Sequence, residues 1–318
     1  MRHRLNILSA MALSGEPQGD RSDLDLAAAR RAGHLSARQA QPPWLHAEVA
    51  RRMEDRLAIL RQPPATWLDD SAAPPDAALR ALLARRYPKS QGFSAFLDAD
   101  RPPEAIKNEA PISGLTRWLR GARSGVAWPG QAELLWSNMR LHACADARGL
   151  LARWHGWLAV DGVLMFSCLG PDTLRELRAL HAQAGWPPPA QDFVDMHDWG
   201  DRLVHAGFSG PVMDVERLTL TWPSPAALLT ELRGLGRNLH PARYAGLRTP
   251  RWRERLLRAL AERAGRDGRI AMSFEIVYGH AIKPAPRAAL EPETAVALSD
   301  MRDMLRAHNA RGPRGRAG

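Results

Sequence analysis

Apolar side chains recur at spacings of three and four through residues 44–60, where Leu45, Val49, Met53, Leu57 and Leu60 share one face of a predicted helix. Pro63 and Pro64 stop it. Residues 65–68 read as a short buried strand, ended by Asp69 and Asp70. Pro74 and Pro75 open a second helix, which passes through Leu79, Leu82 and Leu83 to Tyr87. Residues 93–97 form a second strand with Asp98 at its end. Prolines and glycines then predict loop over 99–130, with one short helix over 115–119.

Regular patterning returns with a strand over 133–137 and an amphipathic helix over 145–158, whose face carries Leu150, Leu151, Trp154, Trp157 and Leu158. Asp161 and Gly162 make a turn before 163–168, an unbroken apolar run that suits a central parallel strand. Helices are expected from Pro171 to His181 and over 199–206, 225–235, 252–264 and 290–307; long strands are expected over 212–222 and 270–281. Strands alternating with helices make this an α/β chain with a doubly wound, mainly parallel sheet. The two long late strands predict an antiparallel edge. Residues 1–43 are expected to be an irregular extension, 44–285 the folded domain, and 286–318 a C-terminal helix and disordered tail.

Composition narrows the class. The chain has 318 residues, 45% of them apolar, enough for a sizeable core. No apolar run is long enough to span a bilayer. Arg2 and Arg4 before the apolar stretch 5–13 faintly resemble a secretory leader, but Asn6 and Ser9 break it. The cysteines Cys144 and Cys168 have neither metal-ligand nor disulfide-framework spacing, so no metal is expected and a cytoplasmic location is. The net charge of +10 is mostly arginine, spread evenly. Without a basic block interleaved with aromatics, nucleic acid is not the expected partner.

In doubly wound sheets, ligands lie at the carboxyl ends of the strands, near the switch point. Asp69 and Asp98 stand where that rule places an acid; an acid after the second strand can accept from both ribose hydroxyls of a nucleoside. Either can equally cap the following segment. Asn138, at the end of the strand over 133–137, is a further candidate, with a strand-end amide bonded to loop backbone as the alternative.

These residues, with Leu134-Leu135-Trp136-Ser137-Asn138, resemble a class I S-adenosylmethionine-dependent methyltransferase. The later pieces are more specific: Val163-Leu164-Met165-Phe166-Ser167, Gly170-Pro171-Asp172-Thr173-Leu174-Arg175-Glu176-Leu177, Asp195-Met196-His197-Asp198 with Gly200-Asp201, Ala206-Gly207-Phe208, Pro211-Val212-Met213-Asp214 and Asn238-Leu239-His240. In this order they resemble the malonyl-acyl carrier protein O-methyltransferase family of biotin synthesis, over roughly residues 45–285. The resemblance implies a Rossmann-like sheet of the seven-stranded type, with S-adenosylmethionine as cofactor and a malonyl thioester on an acyl carrier protein as partner and substrate. It implies Asp69, Ser71, Asp98 and Asn138 as cofactor-binding residues. Asn238, His240 and Arg243 are candidates for substrate binding, with a turn before Pro241 as the alternative for the first two.

One stretch departs from the family. Where it carries a glycine-rich loop after the first strand, this chain has Asp69-Asp70-Ser71-Ala72-Ala73-Pro74-Pro75. The acid is kept and every glycine is absent, so side chains would crowd a ligand on the loop and two backbone donors are lost. A malonyl carboxylate is ionised and nucleophilic at neutral pH, so the family reaction needs no general base. Three readings follow: a carboxyl O-methyltransferase with an altered loop; a catalytically silent relative that binds or regulates a partner; and a basic nucleic-acid-binding protein, which salt-dependent binding would mark.

Overall fold

The computed structural model describes residues 24–72, 77–95, 104–105, 130–286, 302 and 306. The chain divides into two compact units, Met1–Pro284 and Ala285–Gly318. Of the second, four residues are described, and Arg302 and Arg306 among them are helical. The expected helix over 290–307 otherwise lies outside the described residues. So do the expected helix over 115–119 and most of the 99–130 loop.

The first unit is built on a seven-stranded sheet of order β3-β2-β1-β4-β5-β7-β6. Its strands are β1 (Thr66–Asp69), β2 (Gln91–Ser94), β3 (Glu104–Ala105), β4 (Ala132–Ser137), β5 (Leu158–Leu169), β6 (Ser209–Trp222) and β7 (Ile270–Ile282). β1 pairs in parallel with β2 on one side and with β4 on the other, so the strand order reverses at the β1–β4 boundary. β5 continues the parallel set beside β4. β7 runs antiparallel between β5 and β6, and β6 closes that edge. β7 is buried nearly throughout, whereas β6 alternates between half-buried and exposed positions, as expected of an inner and an edge strand.

Helices cover both faces because successive strand side chains point to opposite sides. One face packs Trp67, Trp136 and Tyr278 against Leu45, Val49 and Met53 of α2 (Trp44–Asp55) and Leu79 and Leu83 of α3 (Ala77–Arg86). The same cluster takes in Leu177 and Leu180 of α5 (Arg175–Gln183), Leu228 of α7 (Pro225–Leu235) and Leu256 and Leu260 of α8 (Pro250–Ala261). The opposite face packs Leu68, Leu135 and Phe166 against Leu150 and Trp154 of α4 (Ala147–Trp157) and Trp199 and Leu203 of α6 (Met196–His205). Trp136 is fully buried and is a core residue. Gly92 is set by this packing: a Cβ there would lie 2.3 Å from the Trp67 ring.

Three local expectations are corrected. Residues 26–37, expected to be irregular, form α1 (Leu26–Ala37), capped by Asp25, whose Oδ1 accepts from the Ala28 amide at 2.8 Å. Only Ala28 of this helix is buried, so its own apolar pattern is weak and contacts from later in the chain hold it. Asp161 and Gly162 do not separate a helix from a strand. They form an irregularity inside β5, where Asp161 takes φ 63° and both residues bond to Lys283 through backbone. α5 begins four residues after Pro171, because the chain first turns through Leu174 at φ 57°.

Candidate functional site

The carboxyl end of β1 carries two buried acids, and both are spent inside the protein. Asp69 accepts from the Ser71 amide at 3.1 Å through Oδ1 and from Arg80 at 3.4 Å through Oδ2. Arg80 also donates to Ser94 at the end of β2, so one guanidinium bridges the two strand ends. Asp70 accepts from Arg140 and from the indole Nε1 of Trp154. Burial pushes both carboxyl groups above their ordinary range, and the arginines and the hydrogen bonds pull the other way.

The backbone beyond them is also committed. The Asp70 amide bonds to the Trp136 carbonyl at 2.8 Å and the Ala72 amide to the Asn138 carbonyl at 2.9 Å. The Ser71 hydroxyl accepts from the Asn138 amide at 3.0 Å. From Asp70 to Ala72 every backbone N–H therefore has a partner within the protein. Residues 73–76 lie outside the described residues, and Pro74 and Pro75 have no N–H to offer.

Asn138 is the hub of the β4 end. Its Nδ2 donates to the His46 carbonyl at 2.8 Å, and its Oδ1 accepts from Ser167 at 2.8 Å. Met139 then takes φ 56° and turns the chain so that its amide reaches Ser167. Thus Asp69, Ser71 and Asn138 meet at one sheet edge and are joined to one another there. Asp98 lies outside the described residues.

Beside this edge is a cavity of about 450 Å³. Met139, His142 and Leu169 contribute the sheet side of its wall, α2 contributes His46, α1 contributes Ala29 and Gly33, and the segment after α7 contributes Asn238. His142 Nδ1 accepts from the Leu169 amide at 3.3 Å, which makes Nε2–H the ring's donor when neutral. Burial holds His46 down at about 4 and His142 down at about 3, the latter also through His46, so both imidazoles are neutral at physiological pH.

The three substrate candidates share one segment and do different things. Asn238 lines the cavity, donates to the Pro188 carbonyl at 2.7 Å, and accepts from the His240 amide at 2.9 Å. His240 caps the next turn by accepting from the Ala242 amide at 2.9 Å. Arg243 pairs with Asp25 and so pins the start of α1, and the Asp25 amide bonds to the Leu239 carbonyl at 2.8 Å. Gln39, just after α1, donates to Gly234 at 3.2 Å. α1 is thus tied at both ends across the cavity.

No family model matches the chain. The malonyl-[acyl-carrier protein] O-methyltransferase of Laribacter hongkongensis is 36% identical over 273 residues, covering 83% of this chain and 89% of that protein. The enzyme of the same name from Nitrosospira multiformis is 42% identical over 272 residues, covering 80% and 88%. That from Halorhodospira halophila is 36% identical over 274 residues, covering 83% and 90%.

The chain belongs to the malonyl-acyl carrier protein O-methyltransferase family.

For a member of this family, the residues that sequence reasoning passed over are those that consume the strand-end polar groups: Arg80, Arg140, Ser167 and His46. His46 had a legible signal, because His46, Val49, Ala50 and Met53 fall at helical spacing on the buried face of α2. The arginines had none, since arginine is the common basic residue throughout the chain. Among the described residues no group of His, Cys, Asp and Glu is placed to hold a metal, and no helix is long and apolar enough to cross a membrane.

Proposed function

We propose that this family member transfers the methyl group of S-adenosylmethionine to the free carboxylate of a malonyl thioester carried by an acyl carrier protein, in biotin precursor synthesis. The observation that supports this reading is the cavity at the carboxyl ends of β4 and β5, together with the names of relatives that match most of the chain.

The fit of S-adenosylmethionine to the described residues is divided. For its sulfonium end, Met139, Leu169, Leu177, Phe193 and Phe274 make the wall largely apolar and the His46 and His142 imidazoles are uncharged, but Arg30, Arg140 and Arg237 also line it and no acid does. The loop after β1 suits the rest poorly, because its described donors are already used. Contacts to the ribose and adenine would fall to Asp98 and to neighbours outside the described residues. When bound, the cofactor supplies a methyl group activated by positive sulfur.

The contribution of the chain's own residues is positioning and exclusion of water. Joining a carboxylate to a cationic methyl donor removes both charges, so a dry apolar wall favours the products and weakens competition from solvent. His142 Nε2–H can hold one carboxylate oxygen while the other reacts, and α1 closes the cavity from outside. Neither role calls for a general base, and alignment within the cavity supplies the rate.

A second reading is favoured by a specific observation. Asp69, Ser71 and Asn138 are mutually satisfied, as in a relative that has ceased to bind the cofactor and acts through a partner. One experiment separates the two: calorimetric titration of the purified protein with S-adenosylmethionine and S-adenosylhomocysteine, followed by a methyl-transfer assay on malonyl-carrier protein. Micromolar binding with transfer supports the enzyme. No heat and no thermal shift at millimolar ligand overturns it in favour of the silent relative.

A further inference from the structure

A second cavity, of about 630 Å³, lies between α7, α8 and the segment joining them. Five arginines line it: Arg233, Arg237, Arg243, Arg248 and Arg253. No aspartate or glutamate does. Arg243 is committed to Asp25, but the other four have no ion pair among the described residues. Four unpaired guanidinium groups around one hollow repel one another, and an anion between them would relieve that repulsion.

Two of these arginines are held ready. The Arg248 guanidinium lies 3.8 Å from the centre of the Tyr244 ring and 4.2 Å from that of Trp252. These two ring contacts hold the guanidinium in place, and it has no hydrogen bond of its own among the described residues, which leaves its N–H groups for a ligand. Arg237 donates to the carbonyls of Arg233 and Gly236, which fixes it at the end of α7 with donors to spare. The N-terminus of α8, capped by Thr249, lines the same hollow with the positive end of its dipole. Burial and then Arg248 lower the pKa of His181, while the Pro187 carbonyl, 2.7 Å from its Nδ1, raises it.

The two cavities share wall residues: Leu177, Pro189, Leu232, Gly236, Arg237 and Asn238 line both. The two cavities therefore adjoin at this wall, as an extended ligand reaching from the inner cavity to the arginines requires. We propose that the arginine-lined cavity binds the phosphate at the outer end of the substrate's thioester arm, with Arg237 and Asn238 at the passage to the inner cavity. The proposal rests on the reading of the substrate as a carrier-bound thioester. Arginine is favoured for such a contact because its planar fork matches phosphate oxygens.

The test is binding of phosphopantetheine and of pantetheine, which differ by that phosphate, to the full-length protein without any methyl donor. Phosphopantetheine is expected to bind at least roughly tenfold more tightly, and Arg237→Gln and Arg248→Gln should each weaken it by roughly tenfold. Arg51→Gln, far from the hollow on α2, should leave it unchanged. Circular dichroism and a thermal midpoint for each variant identify loss of fold, and Arg248→Lys, which keeps the charge and loses the stacked plane, should bind weakly while folded. Competition by coenzyme A and by phosphopantetheinylated carrier protein then tells a free thioester from a carried one. Equal binding of pantetheine overturns the proposal, as does wild-type affinity in the two glutamine variants, or carrier protein that binds equally well without its arm. Failure of methyl transfer leaves these readings intact, because none of them uses the methyl donor.

Discussion

The Ser167 hydroxyl donates to Oδ1 of Asn138 at 2.8 Å, so the carboxyl end of β5 is tied to that of β4 through an amide expected to face a ligand. The same amide's Nδ2 reaches the His46 carbonyl, and all three residues are buried. Asn138→Ala would leave the buried Ser167 hydroxyl proton without its acceptor and the His46 carbonyl without its side-chain donor. We expect a loss of about 1–3 kcal/mol in denaturant unfolding, since an unpaired buried polar group keeps its full desolvation cost. An unchanged midpoint would refute this structural role and return Asn138 to the ligand.

Arg140, itself half-buried, is the cation paired with the fully buried Asp70. Arg140→Ala should destabilise the fold by about 3–5 kcal/mol, because the buried acid keeps the Trp154 indole as a hydrogen-bond donor and the charge of Arg153, but loses its paired cation. Asp70→Asn in the same chain should recover a large part of that loss. A double-mutant cycle read by urea denaturation checks the coupling; additive losses would refute it.

Stability should fall as pH drops below about 6.5. His46 and His142 stay neutral in the native protein down to about 4 and about 3, while the unfolded chain protonates them near 6.5. In that interval the unfolded state holds more protons, so each histidine steepens the loss by up to about 1.4 kcal/mol per pH unit. Above 6.5 neither contributes. The raised carboxyl groups of Asp69 and Asp70 act with the opposite sign, favouring the native form as pH falls. His142→Gln isolates one term: the slope between pH 6 and pH 4 should flatten, and a parallel curve would disprove the assignment.

Gly92→Ala should cost about 1–3 kcal/mol, since the new methyl meets the fully buried ring of Trp67 on the neighbouring strand rather than the free end of a flexible chain. Thermal unfolding of the variant, followed by tryptophan fluorescence, reads both the loss and the displaced ring.

Arg243→Ala should release the start of α1 without unfolding the sheet. The partner of Asp25 is lost, while the rest of α1 has little buried apolar surface to hold it. Amide exchange of residues 26–37 should accelerate with β4, β5 and β7 unaffected. Uniform acceleration everywhere would mean that Arg243 supports the domain as a whole.

Much of this molecule was legible in its residue order. The all-apolar run 163–168 marked a central strand, and the alternating run 212–222 marked a half-exposed one. Each signal is a local periodicity that solvent exposure imposes on a strand or helix. Helix α1 escaped because its stability comes from Arg243, 218 residues away, rather than from its own apolar face.

The candidate site divides in the same way. Sequence alone determined the α/β sheet, its family, and which polar residues stand at the ends of β1 and β4; the absent glycines after β1 were plain in the letters. Only the tertiary structure decided what those polar groups do. Arg80 reaches Asp69 across 11 residues, Arg140 reaches Asp70 across 70, and Asn138 reaches His46 across 92. The physical reason is that a buried polar atom must find a partner wherever the fold brings one. Spacing along the chain specifies where a donor or acceptor sits, but three-dimensional packing specifies whether it has already been used.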